Sequence, residues 1–401
     1  MANLIGDSPR RGGDSSRLGG CQRRYCTTKC ATVAIILSLA VVVALIVVFE
    51  VVKLFGKTPY VQHSEEEKQW WLELVEDINA NPNATWKAVY NQFAERSERG
   101  VSFDEMVAAM KRGNGSRKSS RLDAVGHSLD VADWLPPDRF DARERWPFCW
   151  TIHEIRNQAG CGNCWAQAIV SMASDRVCIH SNGTQQPHLS VQDVTACCSD
   201  CGGKRGGCSS GSIARGLRFW KYEGVVTGGP YGSHEGCRPY KKKPDCGSPC
   251  PQRYYGKRAT TPTCKKRCRK LYSKTYTEDK HYAKTVYQIS AADLEAMAKK
   301  VQLEIMLNGP LAICYPAPED LQLYGSGIYK PQVTNALYGH CSRLLGWGVD
   351  GGSGAPYWLL GNSWGRQWGE YGFARMWRGA DDLLAASDVY GGIPQLEESS
   401  L

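Results

Sequence analysis

No internal repeat runs along the 401 residues, which leaves out solenoid and propeller architectures. Histidine is scarce, at 8 residues against 18 cysteines. The cysteines also lack the regularly paired C-x-x-C units with histidine partners that a cytosolic zinc protein displays, so no metal site is expected. All but three of them fall between Cys149 and Cys341, too many to stay reduced without a use. Disulfides in an oxidising compartment account for them better. Three glycosylation acceptors, Asn83-Ala84-Thr85, Asn114-Gly115-Ser116 and Asn182-Gly183-Thr184, fit the same compartment. Apolar content of 42% and aromatic content of 10% are ordinary for a folded chain, and the length allows one large domain or two smaller ones. The net charge of +9 is unevenly spread. Lys241-Lys242-Lys243 and Lys265-Lys266-Arg267, with Arg269 and Lys270, read either as a solvated loop face or as a surface for acidic glycans or substrates. No nucleic-acid partner is expected.

One apolar run decides the compartment. Residues 31 to 49 carry only Thr32 and Ser38 as mild exceptions, and Val51, Val52, Leu54 and Phe55 extend the run to bilayer-spanning length. A cleaved signal peptide is shorter and nearer Met1. Arg10, Arg11, Arg17, Arg23, Arg24 and Lys29 precede the run and Glu65-Glu66-Glu67 follows it, so the N-terminus is expected in the cytoplasm. This makes a single-pass type II precursor whose remainder is luminal (lysosome-like) or extracellular. Cys21, Cys26 and Cys30 would lie on the cytoplasmic side, outside any disulfide set.

Beyond the anchor, Trp70, Trp71, Leu74, Val75 and Ile78 recur at helical spacing, which predicts helix from Glu65 to about Gly100, and a second short helix follows over 103–110. Residues 111–120 are glycine, serine and basic residues, a protease-accessible linker. Leu135-Pro136-Pro137 reads as extended and opens the cysteine-rich domain.

The chemistry concentrates at Asn157-Gln158-Ala159-Gly160-Cys161-Gly162-Asn163-Cys164-Trp165. Trp165, Ala168, Ile169, Met172 and Val177 trace one helix face, which puts Cys164 at a helix N-terminus. Unpaired amides and the helix dipole there favour a thiolate. A thiolate nucleophile needs an imidazole and a group to orient it. His340 stands near the start of a strand-like run, 338–348, and Asn362 lies beside Trp364 in Gly361-Asn362-Ser363-Trp364-Gly365.

With these motifs the chain, from about residue 65 to 394, resembles the papain family of cysteine peptidases. Within that family, Ser233-His234-Glu235-Gly236-Cys237-Arg238-Pro239-Tyr240 and Asp279-Lys280-His281-Tyr282 resemble the cathepsin B branch. The resemblance implies an α+β, papain-like two-lobed fold. It has a helical left lobe, a β-barrel-like right lobe and an active-site cleft between them, preceded by a short helical propeptide and a transmembrane helix. The expected divisions are 1–30 (basic tail), 31–55 (signal anchor), 65–134 (propeptide and linker) and 135–401 (peptidase domain). The implied activity needs no cofactor. Cys164 would attack the peptide carbonyl and form an acyl-enzyme. His340 would move the proton, Asn362 orient the imidazole, Trp364 shield that bond, and Gln158 with the Cys164 amide hold the oxyanion. None of these positions is substituted. Polypeptides are the expected substrates and the propeptide the expected inhibitor.

The resemblance also implies bridges Cys149–Cys178, Cys161–Cys208, Cys197–Cys264, Cys198–Cys201, Cys237–Cys268 and Cys246–Cys250. Cys314 and Cys341 are left over on neighbouring strands, either bridged or as two thiols in an apolar pocket. Substrate contacts would come from Ser210, Gly211, Gly339, Cys314, Cys341, Asp388 and Trp364. Ser210 replaces a family glycine, and Asp388 would favour a basic side chain. The histidine pair with which cathepsin B grips a C-terminal carboxylate has no counterpart between Lys241 and Cys268, so internal cleavage is expected instead. Two rival readings are an oxidoreductase, from the Cys161-x-x-Cys164 spacing, and a catalytically impaired membrane-tethered binding protein.

Overall fold

The computed structural model describes Val41 and Val43, residues 65–91, 101–102, 122, 131, 133–202, 206–243, 260–333, 335–379 and 383–396. The chain divides into units Met1–Tyr60 and Val61–Leu401. Apart from Val41 and Val43, both helical, the expected anchor over 31–55 lies outside the described residues. Among the described residues no helix is long and apolar enough to cross a membrane.

Helix α1 (Glu65–Ala80) and strand β1 (Trp86–Ala88) bring Trp71, Ile78 and Trp86 into one apolar cluster. The helix stops at Ala80 rather than near Gly100. Pro82 follows, and a proline pushes the residue before it out of helical backbone. Asn81 turns the chain, its Oδ1 accepting from the Asn83 amide at 2.9 Å. The second predicted helix, 103–110, lies outside the described residues. Strand β1 pairs antiparallel with β6 (Tyr324–Tyr329), with Trp86 opposite Gly327. The Trp86 indole donates to the Lys330 carbonyl at 2.8 Å and lies 5.1 Å from the Tyr329 ring.

Among the described residues ten strands form one sheet, ordered β1-β6-β9-β8-β7-β5-β10-β4. The members not yet placed are β4 (Tyr282–Ile289), β5 (Leu311–Pro318), β7 (Asn335–Val349), β8 (Pro356–Gly361), β9 (Phe373–Trp377) and β10 (Asp388–Gln395). Two short strands, β2 (Val101–Ser102) and β3 (Phe140–Asp141), pair off the path with β7. The β6–β9 pair is parallel and the others are antiparallel.

The helices of the body are α2 (Ala142–Arg145), α3 (Cys164–His180), α4 (Val191–Cys197), α5 (Ile213–Tyr222) and α6 (Leu294–Asn308). Ser190, Ser212 and Asp293 cap α4, α5 and α6 by accepting a backbone N–H three residues on. Helix α6 ends at Gly309, whose φ of +94° is left-handed and where a Cβ would strike Ile179. Helix α3 departs from the one-faced pattern: every residue from Trp165 to Cys178 is buried. It packs against β7 and β10 as well as against α4 and α5, so no face is left for water.

Polar groups are therefore carried inside on α3 and must be paired. Asp175 meets Arg343 of β7 at 2.8 Å and accepts from the Thr151 hydroxyl at 2.7 Å. Arg343 also donates to the carbonyls of Thr151, Ile152 and Glu154. Next in sequence, Arg176 pairs with Glu304 at 3.0 Å and donates to the carbonyls of Gly309, Pro310 and Gly392. Covalent ties join Cys149–Cys178, Cys161–Cys208, Cys197–Cys264, Cys198–Cys201, Cys237–Cys268 and Cys314–Cys341. Cys246 and Cys250 lie outside the described residues.

Replacing Asp175 by Ala strands the Arg343 guanidinium without its counter-charge. The expected loss is about 3–5 kcal/mol, read by urea unfolding. A loss below about 1 kcal/mol would show that the pair does not hold α3 to β7.

Candidate active site

Cys164 opens α3, and among the described residues it is the free cysteine. The turn that delivers it is pinned from behind. Cys161 is bonded to Cys208, the Gly162 amide donates to the Cys208 carbonyl at 2.8 Å, and Asn163 Nδ2 donates to Thr195 Oγ1 at 2.8 Å. Ala159, just upstream, holds a left-handed φ of +52°, and its amide donates to Asn157 Oδ1 at 2.9 Å.

Strand β7 carries His340, buried to 1% exposure. Its Nε2 lies 2.8 Å from Asn362 Oδ1. The Ser363 amide donates to that same oxygen at 2.7 Å, which identifies the atom as an acceptor. The ring nitrogen facing it is then the protonated one, and Nδ1 is the basic nitrogen of the neutral imidazole. Trp364 lies 4.7 Å from the His340 ring, centroid to centroid, and Tyr315 meets it edge-on at 5.8 Å. Gln158 is clamped beside this pair. Its amide donates to the Ser363 carbonyl at 2.8 Å, its Oε1 accepts from Ser363 Oγ at 2.8 Å, and its Nε2 donates to the Cys161 carbonyl at 3.2 Å.

The electrostatics differ from the sequence expectation of a depressed thiol. Burial pushes the Cys164 thiol up to about 11, and the backbone amides of Cys341, Trp165 and Cys164 itself only partly offset it. Burial likewise pushes the His340 imidazole down to about 4, against the opposing bond to Asn362. Desolvation outweighs the helix terminus, so near neutral pH the two groups rest as thiol and neutral imidazole. Leu122, upstream of the cysteine-rich domain, packs against the apolar cluster that holds Trp165 and Cys341 and that Cys164 and Cys314 border.

The remaining predicted positions fall as follows. Cys341 follows His340 and is bonded to Cys314 on β5, directly opposite. Asp388 stands opposite Cys314 on β10 and accepts from Gln288 Nε2 at 2.9 Å. Gly339, immediately before His340, and Ser210 are both exposed. Gly211 lies against Trp165, where a Cβ would come within 2.1 Å of the indole. Of the glycosylation acceptors, Asn83 and Asn182 are exposed and Asn114 lies outside the described residues. Sequence reasoning missed Ser363, which locks Gln158, and the Asp175–Arg343 pair. A lone acid–base pair of residues inside apolar runs was the available signal for the second.

In the intact chain, Cys164 should therefore alkylate slowly at pH 7. Its rate with iodoacetamide, followed by peptide mass, should rise about tenfold per pH unit between pH 8 and 10. A rate that stays flat from pH 5 to 9 would mean that a thiolate is already present.

Residues 136–392 match the model of the papain family cysteine proteases. A cathepsin B-like cysteine proteinase of Schistosoma japonicum is 36% identical over 334 residues, covering 80% of this chain and 90% of the relative. Cathepsin B-like cysteine proteinase 3 of Caenorhabditis elegans is 43% identical over 324 residues, covering 80% and 82%. Among solved structures, procathepsin B S9 from Trypanosoma congolense superposes with a TM-score of 0.61 at 26% identity, over 81% of this chain and 98% of that one. The chain is similar to cathepsin B-like proteinases in particular, has the papain-like α+β fold, and belongs to the papain family of cysteine peptidases.

Proposed function

We propose that this papain-family peptidase is made as a membrane-anchored zymogen and matures into a soluble endopeptidase. Its divisions are a cytoplasmic tail over 1–30, an anchor over 31–55, a propeptide with linker over 65–134, and a two-lobed catalytic domain from 135 with its cleft between a helical and a barrel-like lobe. The observation that carries the reading is Cys164, free at the head of α3, in one chain with His340 and Asn362 joined at 2.8 Å.

In the precursor the nucleophile and its base both rest uncharged, His340 fully buried and Cys164 half-buried at the head of α3. Removal of the upstream segment, Leu122 included, readmits water and a substrate to the site. Charge separation then becomes less costly, and the Cys164 proton passes to His340. The thiolate attacks the scissile carbonyl. The oxyanion is met by the Cys164 amide and the second Nε2 hydrogen of Gln158, whose Oε1 is held by Ser363. The imidazolium then gives its proton to the leaving amine, and the acyl-enzyme is cleared by water that His340 deprotonates. Asn362 fixes the tautomer throughout, and Trp364 keeps water from that bond. Internal cleavage is supported by the absence of histidine between Lys241 and Cys268.

An epoxide-type thiol label tests the assignment and the anchor together. It should attach to Cys164 in the matured enzyme, found in the soluble fraction, while the precursor stays with membranes. Cys164→Ala should lose both label and cleavage, and Gln158→Ala should keep the label but lose about 10²–10³ in kcat. Labelling without any peptide cleavage would favour a binding protein instead. Mode of action is read with matched peptides ending in a free or an amidated carboxyl terminus. An endopeptidase cuts both at similar internal sites, whereas dipeptide release confined to the free acid would overturn that part of the reading.

A further inference from the structure

The peptide that joins Gln158 to Ala159 is held at both ends. Its carbonyl, on Gln158, accepts from the Tyr240 hydroxyl at 2.7 Å. Its N–H, on Ala159, donates to Asn157 Oδ1 at 2.9 Å. Gln158, Ala159 and Tyr240 are all buried, so the carbonyl depends on this one hydroxyl rather than on solvent. A peptide is planar, and fixing its oxygen and its hydrogen fixes the direction of the plane. That plane leads into Ala159 at its left-handed φ of +52°, a strained conformation for a residue with a Cβ. Such a conformation persists only where its surroundings over-determine it, and the two bonds do so here. Tyr240 is itself fastened on both sides to α4. Arg238, two residues before it, pairs with Asp193 at 2.8 Å, and the Lys241 amide, one residue after it, donates to Gln192 Oε1 at 3.1 Å. Burial pushes the Tyr240 phenol up, so its oxygen keeps the proton and remains a donor across the pH range in which the enzyme folds. The same oxygen lies 3.4 Å from Asn163 Oδ1, in the turn that ends at Cys164.

We propose that Tyr240 is a positioning residue of the hydrolysis: with Asn157 it clamps the Gln158–Ala159 peptide and so aims the Gln158 side-chain amide at the oxyanion. The inference rests on the reading of Cys164 as nucleophile and Gln158 as oxyanion donor. The hydroxyl touches neither substrate nor reacting atom and acts through Gln158. Without it the strain at Ala159 is free to turn the peptide. The bonds of Gln158 to the Ser363 carbonyl and hydroxyl remain, so its amide is displaced rather than lost. A displaced donor leaves ground-state binding nearly as it was, but meets the charge that develops on the carbonyl oxygen less well. The cost therefore falls on kcat rather than on KM.

The test is a double-mutant cycle on matured enzyme made from the full chain, each preparation titrated with the epoxide label so that misfolded molecules do not enter kcat. Tyr240→Phe removes the hydroxyl and keeps the ring. It should lower kcat about tenfold while KM moves less than about twofold. Placed on Gln158→Ala, the same substitution should lower kcat less than about threefold further, because the group it positions is already gone. A further loss of about threefold or more on Gln158→Ala overturns the inference, since the hydroxyl would then act on the fold at large. So does a Tyr240→Phe enzyme whose kcat stays within about threefold of the unaltered one, or whose loss lies in KM. Should Tyr240→Phe yield no active molecules, Asn157→Ala, which unties the other end of the same peptide, goes through the same cycle with the same outcomes. A Gln158→Ala enzyme with unaltered kcat would remove the oxyanion reading itself and this inference with it, so the two failures are told apart.

Discussion

The buried pair between Asp175 and Arg343 is the constraint on which the site depends. Asp175 belongs to the helix that begins at Cys164, and Arg343 lies three residues beyond His340 on its strand. Helix and strand could slide along an apolar seam at little cost, since dispersion has no preferred register. Two opposite charges in a dry interior cannot slide, because each becomes uncompensated as soon as it leaves the other. The two terminal nitrogens of Arg343 also donate to the carbonyls of Thr151, Ile152 and Glu154, so the loop before Gln158 is bound into the same unit. Cys164, His340 and Gln158 are thereby placed by one guanidinium that touches none of them.

Latency has a simple physical origin in this arrangement. Nothing in the precursor needs to displace the reacting groups; partial burial of Cys164 and full burial of His340 are enough to disfavour both charged forms. The shift of the thiol upward and of the imidazole downward both follow from desolvation, which penalises each charged form separately. Only together, as an ion pair with solvent or substrate dipoles nearby, do they become nucleophilic.

Much of the site was legible in the sequence because its chemistry is local. Cys164 preceded by Gly160 and Gly162, His340 near the start of an apolar strand, and Asn362 beside Trp364 each carry a signal within a few residues. What stayed hidden depends on partners distant in sequence. The burial of α3 on all sides follows from sheet and helices closing over it, which no periodicity of its own can announce. The resting charge state follows from that burial. The early end of α1 was readable at Pro82, but the aromatic spacing upstream drew the helix too far. The bond between Cys314 and Cys341 rests on a strand register that sequence alone left open between bridge and thiols.

The docking of Trp86 and its short strand on β6 leads to one more consequence. Three paired residues, the Trp86 indole and the bonds of Thr85 and Val89 to β6 and the turn before it form a non-covalent contact, made while the segment is part of the same chain. Tethering keeps its effective concentration in the millimolar range, so a weak association suffices for near-complete occupancy. Cutting the chain anywhere between Lys111 and Leu135 changes no contact at that surface, but it turns a unimolecular equilibrium into a bimolecular one. The same strand then dissociates by dilution alone, and the inhibitor is lost without having been destroyed.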